Sequence, residues 1–230
     1  FRSYKLKIIE DAAQSFGASL NKIKSGNFSL VASFSMNPMK TLSGYGENGI
    51  VVTNNKKIFN KLKTLRHAGT TSDPKKKITN FCNDTSLNHK MDTINASLLL
   101  ISFKKFKHKI KKKNIIAEYY NKNLSPKIIK QDDYMYKGEK NGRYVYPIIV
   151  NKRDKLRRYL EKKGIETKIF HLPLINKSPF YQKNYKSSKM RNAERLIKKI
   201  IILPLNEKLL KGQIKYITDN INYFVENDKL

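Results

Sequence analysis

The sequence predicts an α/β fold built in two parts, and three observations carry that expectation. Short runs rich in β-branched and aromatic residues, such as Phe28–Ser35 and Ile50–Thr53, read as strands. Around them, apolar residues recur every three or four positions, which is the spacing of helices packed on one face. One such stretch, from Met91 to Leu124, contains neither proline nor glycine and reads as a single long helix between the two parts.

Taken in order, Lys5-Leu-Lys-Ile-Ile9 reads as a buried strand that runs directly into Glu10 and Asp11. The strand Phe28–Ser35 ends at Met36-Asn-Pro-Met-Lys40, where Pro38 stops regular pairing. A glycine-containing loop, Gly44–Gly49, precedes Ile50-Val-Val-Thr53. Asn54 or Asn55 can cap a helix through Ile58, Leu62 and Leu65. The second half of the long helix, Lys104–Lys113, is densely basic and is expected to be a solvated face. After Pro126, strands and helices alternate. Gly142–Val150 reads as a strand, Arg153–Lys163 as a helix closed by Gly164, and Ile165–Phe170 as another strand. A loop to about Met190 leads to a helix Asn192–Ile200, the apolar run Ile201–Leu205 and a last helix Gly212–Val225. The expected division is therefore Phe1–Leu124, including the connecting helix, and Ser125–Leu230.

The 230 residues are enough for a real core, and a hydrophobic fraction of 39% excludes wholesale disorder despite a net charge of +30. Such a charge points first to nucleic acid or an anionic surface, because neutralising phosphates releases counterions. Of the 48 cations, however, 40 are Lys and only 8 are Arg, whereas bidentate phosphate and base recognition favours Arg. A lysine-rich surface is also what an AT-rich genome writes at permissive positions, so nucleic-acid binding is the rival reading and not the first one. The longest apolar run, around Leu98–Ile101, is far too short to span a bilayer, and no membrane partner is expected. The single cysteine, Cys82, forms no internal disulfide, which makes the cytoplasm the expected compartment. The four histidines, His67, His89, His108 and His171, show no metal spacing, so no metal is expected.

The residues that can carry chemistry gather at predicted strand ends. Asp11 closes one strand and Lys40 follows the end of another, the edge at which open α/β sheets hold their ligands. A carboxylate and an amine placed so suit a cofactor that needs a protonated ring nitrogen and a Schiff-base link, which is pyridoxal phosphate, PLP. Three segments make the pattern specific: Ile8-Ile-Glu-Asp11-Ala-Ala-Gln14-Ser-Phe-Gly17-Ala18, Phe34-Ser35-Met-Asn-Pro-Met-Lys40-Thr-Leu42, and Gly46-Glu-Asn-Gly49-Ile-Val-Val-Thr53. Together they closely resemble the sugar aminotransferases of the DegT/DnrJ/EryC1/StrS family. Leu65–Gly69, Asn88–Ala96, Gly164–Thr167, Pro179–Tyr181 and Leu203–Leu205 resemble that family's later landmarks in the same order.

The resemblance implies a fold-type-I PLP-dependent transferase, with part of the large-domain mixed sheet followed by a small C-terminal α/β domain. It implies that Lys40 forms the Schiff base and shuttles a proton, that Asp11 keeps the pyridine nitrogen protonated, and that Gln14 contacts the ring hydroxyl. Ser35 matches a phosphate ligand, and Asn88 matches an asparagine that crosses to the partner subunit's cofactor phosphate. Lys90 stands where the family often has Arg. The implied reaction moves an amino group, from glutamate, to a keto carbon of a nucleotide-activated deoxysugar for surface polysaccharide or glycan synthesis, in a homodimer. PLP chemistry on an aminocyclitol is an alternative. Family members that act as sugar dehydratases carry histidine in place of the Schiff-base lysine, so Lys40 favours transamination. Where the family often shows Tyr-Pro-x-Pro-Leu-His, this chain has Phe170-His-Leu-Pro-Leu-Ile175, without the final histidine. The chain opens on Phe1, not methionine, and is expected to be the C-terminal part of a longer protein, binding cofactor poorly by itself. The loop Gly44–Gly49 is expected to be a tight return to the next strand, not a phosphate cradle.

Overall fold

The computed structural model describes Tyr4 and residues 6–169, 172–186 and 189–227. The chain packs as two compact units, Phe1–His108 with Gly138–Tyr144, and Lys109–Lys137 with Val145–Leu230. The first unit opens with β1 (Ile9–Asp11), β2 (Ser19–Leu20), β3 (Ile23–Lys24), β4 (Val31–Ser35) and β5 (Gly49–Val52). β1 runs parallel to β4, and β5 runs antiparallel to β4, in the order β1-β4-β5. Alternation along β4 sends Ala32 and Phe34 into a core with Ala12, Met36, Leu42 and Leu99. Ser33 and Ser35 take the opposite face.

The buried strand expected over Lys5–Ile9 is corrected. Lys5 lies outside the described residues, and β1 begins only at Ile9, which is 74% exposed. Its exposure follows from its place at the sheet's edge, where among the described residues only β4 pairs with it.

The helix α1 (Lys56–Arg66) starts at Asn55, whose Oδ1 accepts the Ile58 N–H at 3.1 Å. A hairpin that the sequence pattern does not predict follows, formed by β6 (Thr70–Asp73) and β7 (Ile78–Cys82). Its strands are short and largely exposed, so no apolar alternation announces them. The long helix is α2 (Thr93–Asn123), opened by Asp92, whose Oδ1 accepts the Asn95 N–H at 2.8 Å.

The sequence pattern puts the division after Leu124, whereas the packing puts the boundary inside α2. The first half of α2 contributes Leu99 and Phe106 to the first core, and the second half contributes Ile116, Ala117 and Tyr120 to the other. A continuous helical pattern carries no mark of the point at which its packing partner changes.

The remaining elements are β8 (Ile129–Lys130), β9 (Glu139–Lys140), β10 (Tyr146–Ile149), α3 (Arg153–Lys162), α4 (Pro179–Asn184), α5 (Arg191–Leu196), β11 (Ile200–Leu203) and α6 (Lys211–Asn227). In the second unit the antiparallel order is β11-β10-β8. Tyr146 and Ile148 of β10, Ile201 and Leu203 of β11, Leu156 and Leu160 of α3, and Ile214, Ile217 and Ile221 of α6 share one core. Tyr120 is fully buried within it and donates its hydroxyl proton to Pro204 O at 2.9 Å; burial pushes its phenol above the ordinary range. The end of α2 is tied by Asn222, which accepts Ser125 N–H at 2.8 Å and donates to Asn123 O at 2.7 Å. Gly164, at φ +71°, closes α3 as expected, with Ile165 N donating to Leu160 O at 2.9 Å.

Three further expectations are corrected. Gly142–Val150 is a strand only from Tyr146, because Gly138–Tyr144 packs with the first unit. Ile165–Phe170 reduces, among the described residues, to one bridge between Lys168 and Ile202, on the edge of β11 away from β10, and Phe170 lies outside the described residues. The helix over Asn192–Ile200 ends at Leu196, because Ile200 pairs with Ile149. Buried Arg153 serves this junction, its Nη1 donating to Ile197 O at 3.1 Å and Ile200 O at 3.0 Å. No helix among the described residues is long and apolar enough to cross a membrane.

Candidate active site

Asp11 and Ser35 lie at the C-terminal ends of β1 and β4, neighbouring parallel strands in which Asp11 stands opposite Ser33. Asp11 Oδ1 accepts the Ala13 N–H at 3.1 Å, which closes a tight turn and leaves the carboxylate exposed at the edge. Gln14 lies one turn further on and is also exposed. Ser35 is half-buried; its Oγ accepts the Asn37 N–H at 3.4 Å, which leaves its O–H proton for an anionic oxygen.

Lys40 sits in the loop that Pro38 begins. Asn37 organises this loop through its own side chain, accepting Met39 N–H at 2.9 Å and donating to Glu47 Oε1 at 2.6 Å. The Lys40 N–H donates to Asn37 O at 2.9 Å, and Gly44 N donates to Met36 O at 2.7 Å. Met36 N donates to Asn48 O at 2.7 Å, and Ser35 stands opposite Gly49, so residues 36–49 form a closed return from β4 to β5. The Lys40 ammonium lies over the Tyr144 ring, 4.7 Å from its centroid. Thr41, next in the chain, is 2% exposed, and its hydroxyl has no hydrogen-bond partner among the described residues. A buried hydroxyl left so is a donor in waiting.

Beneath these groups a chain of hydrogen bonds brackets the segment Asp11–Gln14. Glu10 Oε1 accepts Ser25 Oγ–H at 2.9 Å and Gly26 N–H at 2.8 Å, and Ser25 Oγ meets Ser15 Oγ at 2.5 Å.

Asn88 is exposed in the loop after the hairpin. It is bridged to His67, and its Oδ1 accepts Lys90 N–H at 3.2 Å. That loop hangs on Gly69, at φ +74°, whose carbonyl accepts both Asn83 N–H at 2.9 Å and Asp84 N–H at 3.1 Å. A Cβ on Gly69 would stand 1.8 Å from Asp84 O. Gly69→Ala is therefore expected to cost at least about 2 kcal/mol, read as a lowered denaturant midpoint, and to displace the Asn88 loop.

The structure thus brings Asp11 and Ser35 to one sheet edge, puts Lys40 in the loop that leaves it, and sets Asn88 apart on an exposed loop. The donor set matches PLP group by group: a carboxylate for a ring N–H, an amide for a ring oxygen, hydroxyls for a phosphate, and an amine for an aldehyde. Sequence reasoning missed Tyr144, because it falls in a stretch read as strand and nothing in its neighbours links it to Lys40. Of the Phe170–Ile175 stretch, Phe170 and His171 lie outside the described residues, and Ile175 is 79% exposed.

The model of the DegT/DnrJ/EryC1/StrS aminotransferase family matches residues 1–222. The chain belongs to this family. The family's aminotransferases are PLP-dependent. A pleiotropic regulatory protein of Geobacillus stearothermophilus is 29% identical over 97% of this chain and 59% of its own length. A UDP-4-amino-4,6-dideoxy-N-acetyl-beta-L-altrosamine transaminase of Campylobacter jejuni is 25% identical over 99% of this chain and 61% of its own. Among solved structures, a DegT DnrJ EryC1 StrS aminotransferase from Brucella abortus superposes with a TM-score of 0.87 at 26% identity, covering 97% of this chain and 58% of that one. The chain therefore spans about three fifths of the length of these relatives, and its fold is that of the PLP-dependent sugar aminotransferases.

Proposed function

We propose that this chain belongs to an aminotransferase that moves an amino group from glutamate to a keto carbon of a nucleotide-activated deoxysugar, in surface polysaccharide or glycan synthesis in the cytoplasm. The observation that supports this reading is that Asp11 and Ser35 end neighbouring parallel strands and Lys40 follows in the loop after the second, in a chain matched to the family over residues 1–222. Lys40 would hold PLP through Nζ, Asp11 at the ring nitrogen, Gln14 at the ring oxygen, and Ser35 at the phosphate. When bound, PLP supplies an electron sink for breaking a bond at the amine-bearing carbon.

The protein's own part is positional and protonic. The Asp11 carboxylate, oriented by Ala13 N–H, would accept a ring N–H and keep that proton in place by its charge. Lys40 Nζ would hold and release a proton at the amine-bearing carbon, from a backbone fixed by the closed loop.

A homodimer fits the placement of Asn88 on an exposed loop, from which it would reach a second copy. Leu87, Ile94, Leu100, Ile101 and Phe103 expose apolar surface around that loop and the first half of α2, which association would cover.

The test is direct. Full-length protein supplied with PLP, glutamate and a nucleotide-linked keto-deoxysugar is expected to release 2-oxoglutarate and the amino sugar in equal amounts. Repeated turnover of glutamate to 2-oxoglutarate without the sugar, beyond the single equivalent per site that glutamate alone yields, or no release at all across UDP-, GDP- and dTDP-linked keto sugars, would overturn the reading.

A further inference from the structure

Tyr144 stands far along the chain from Lys40, and the fold spends several specific features to bring it there. Residues Gly138–Tyr144 pack with the first unit although the residues on both sides belong to the second. β9 pairs antiparallel with β2, Ser19 opposite Lys140 and Leu20 opposite Glu139. Asn21 N donates to Gly138 O at 3.0 Å. Gly142 is buried, and a Cβ there would stand 2.9 Å from Phe16 O and 3.4 Å from Ala18 N. The backbone thus lies flat on the turn that follows Asp11 and Gln14, in a space only glycine leaves open. Arg143 takes a left-handed φ of 52°, with its N–H donated to Asn141 Oδ1 at 2.8 Å. This turn delivers the next side chain, Tyr144, to Lys40, with the ammonium 4.7 Å from the ring centroid.

We propose that Tyr144 is a positioning residue for Lys40, its ring face forming the seat in which the Lys40 amine rests; this builds on the reading of Lys40 as the amine that holds the cofactor. The ring's quadrupole attracts the ammonium, and its carbon face covers the nitrogen on one side. Both effects belong to the aromatic face and not to the phenol oxygen. Phenylalanine should therefore serve in its place, whereas an aliphatic side chain of similar bulk should not. The residue acts through Lys40 and needs no contact with substrate.

The test reads Lys40 in the full-length protein without cofactor, by competitive acetylation with acetic anhydride at neutral pH and mass spectrometry, with exposed Lys57 as internal reference. Tyr144→Leu is expected to speed acetylation of Lys40 relative to Lys57 by about two- to fivefold, the scale of an exposed cation–π contact. Tyr144→Phe is expected to match the wild type. Gly142→Ala, which keeps Tyr144 but lifts its backbone off Phe16 O, is expected to behave as Tyr144→Leu and provides a second route should that variant fold poorly. Thermal unfolding of each variant confirms that the fold is intact. Equal rates in wild type, Tyr144→Leu and Gly142→Ala would overturn the proposal, as would a rise in Tyr144→Phe equal to that in Tyr144→Leu. Because the measurement needs no cofactor, it stands apart from the function itself, which Lys40→Ala decides.

Discussion

Lys40→Ala in the full-length protein is expected to abolish the visible absorption band that PLP acquires when it is held by an amine, and to lower amino transfer by about 10³-fold or more. The size of the effect follows from the number of tasks given to one nitrogen. Nζ would both hold the cofactor and carry the proton, from a backbone held in a loop closed at Met36, Asn37 and Asn48. Stability should hardly change. Lys40 is only half-buried, and its seat on the Tyr144 ring is worth about 0.5–1 kcal/mol. A variant with intact unfolding behaviour and no band would support the assignment; an intact band would place the cofactor on a different lysine and defeat it. Lys40→Arg sharpens the experiment, because it keeps a cation over the ring while removing the amine.

Lys113→Met is expected to make the protein more stable at neutral pH, and less distinctly so as pH rises. Lys113 lies in the second half of α2 and is 7% exposed. Burial, reinforced by nearby Lys109 and opposed by Glu207, holds its ammonium well below the usual lysine range, at about 8. In the unfolded chain the same group titrates near its ordinary value of 10.5. Between those two values the unfolded state binds more protons than the folded one, so stability rises with pH across that window. Below about pH 8 both states are charged, and the penalty is constant at roughly 3 kcal/mol, from about 1.4 kcal/mol per pK unit. Removing the charge should therefore stabilise by about 1–3 kcal/mol at pH 7, with the margin fading toward about pH 10. Urea unfolding of wild type and variant at both ends of the window measures it. A margin that does not change with pH would show that the charge of Lys113 is not what destabilises this part of α2.

Much of the fold was legible because its signals are local. The stop at Pro38, the cap at Asn55, the closing Gly164 and the uninterrupted periodicity of α2 each act within a few residues of themselves, and the corresponding elements start or end within a residue or two of where the sequence puts them. The shortest strands, β2, β3, β8 and β9, were not legible, since two residues cannot show alternation. Ile165–Phe170 was misread for the opposite reason. Its composition suits a strand, but among the described residues only Lys168 meets the other edge of β11, in a single bridge to Ile202. The candidate site divides in the same way. Asp11, Ser35 and Lys40 sit in short motifs at predicted strand ends, whereas Thr41's unpartnered hydroxyl and the approach of Tyr144 are facts about burial and long-range packing.

By itself, the sequence determined the family resemblance, the chemical inventory of the candidate site and the placing of Asp11 and Ser35 at strand ends, because motif spacing, capping and strand termination are properties of neighbouring residues. The tertiary structure alone decided that α2 serves two cores, that Gly138–Tyr144 returns to the first unit, that Lys113 is buried and that Lys40 rests on Tyr144. Each of those depends on which distant surface a segment finds, a choice made by packing and desolvation across the whole chain, and no local pattern encodes it.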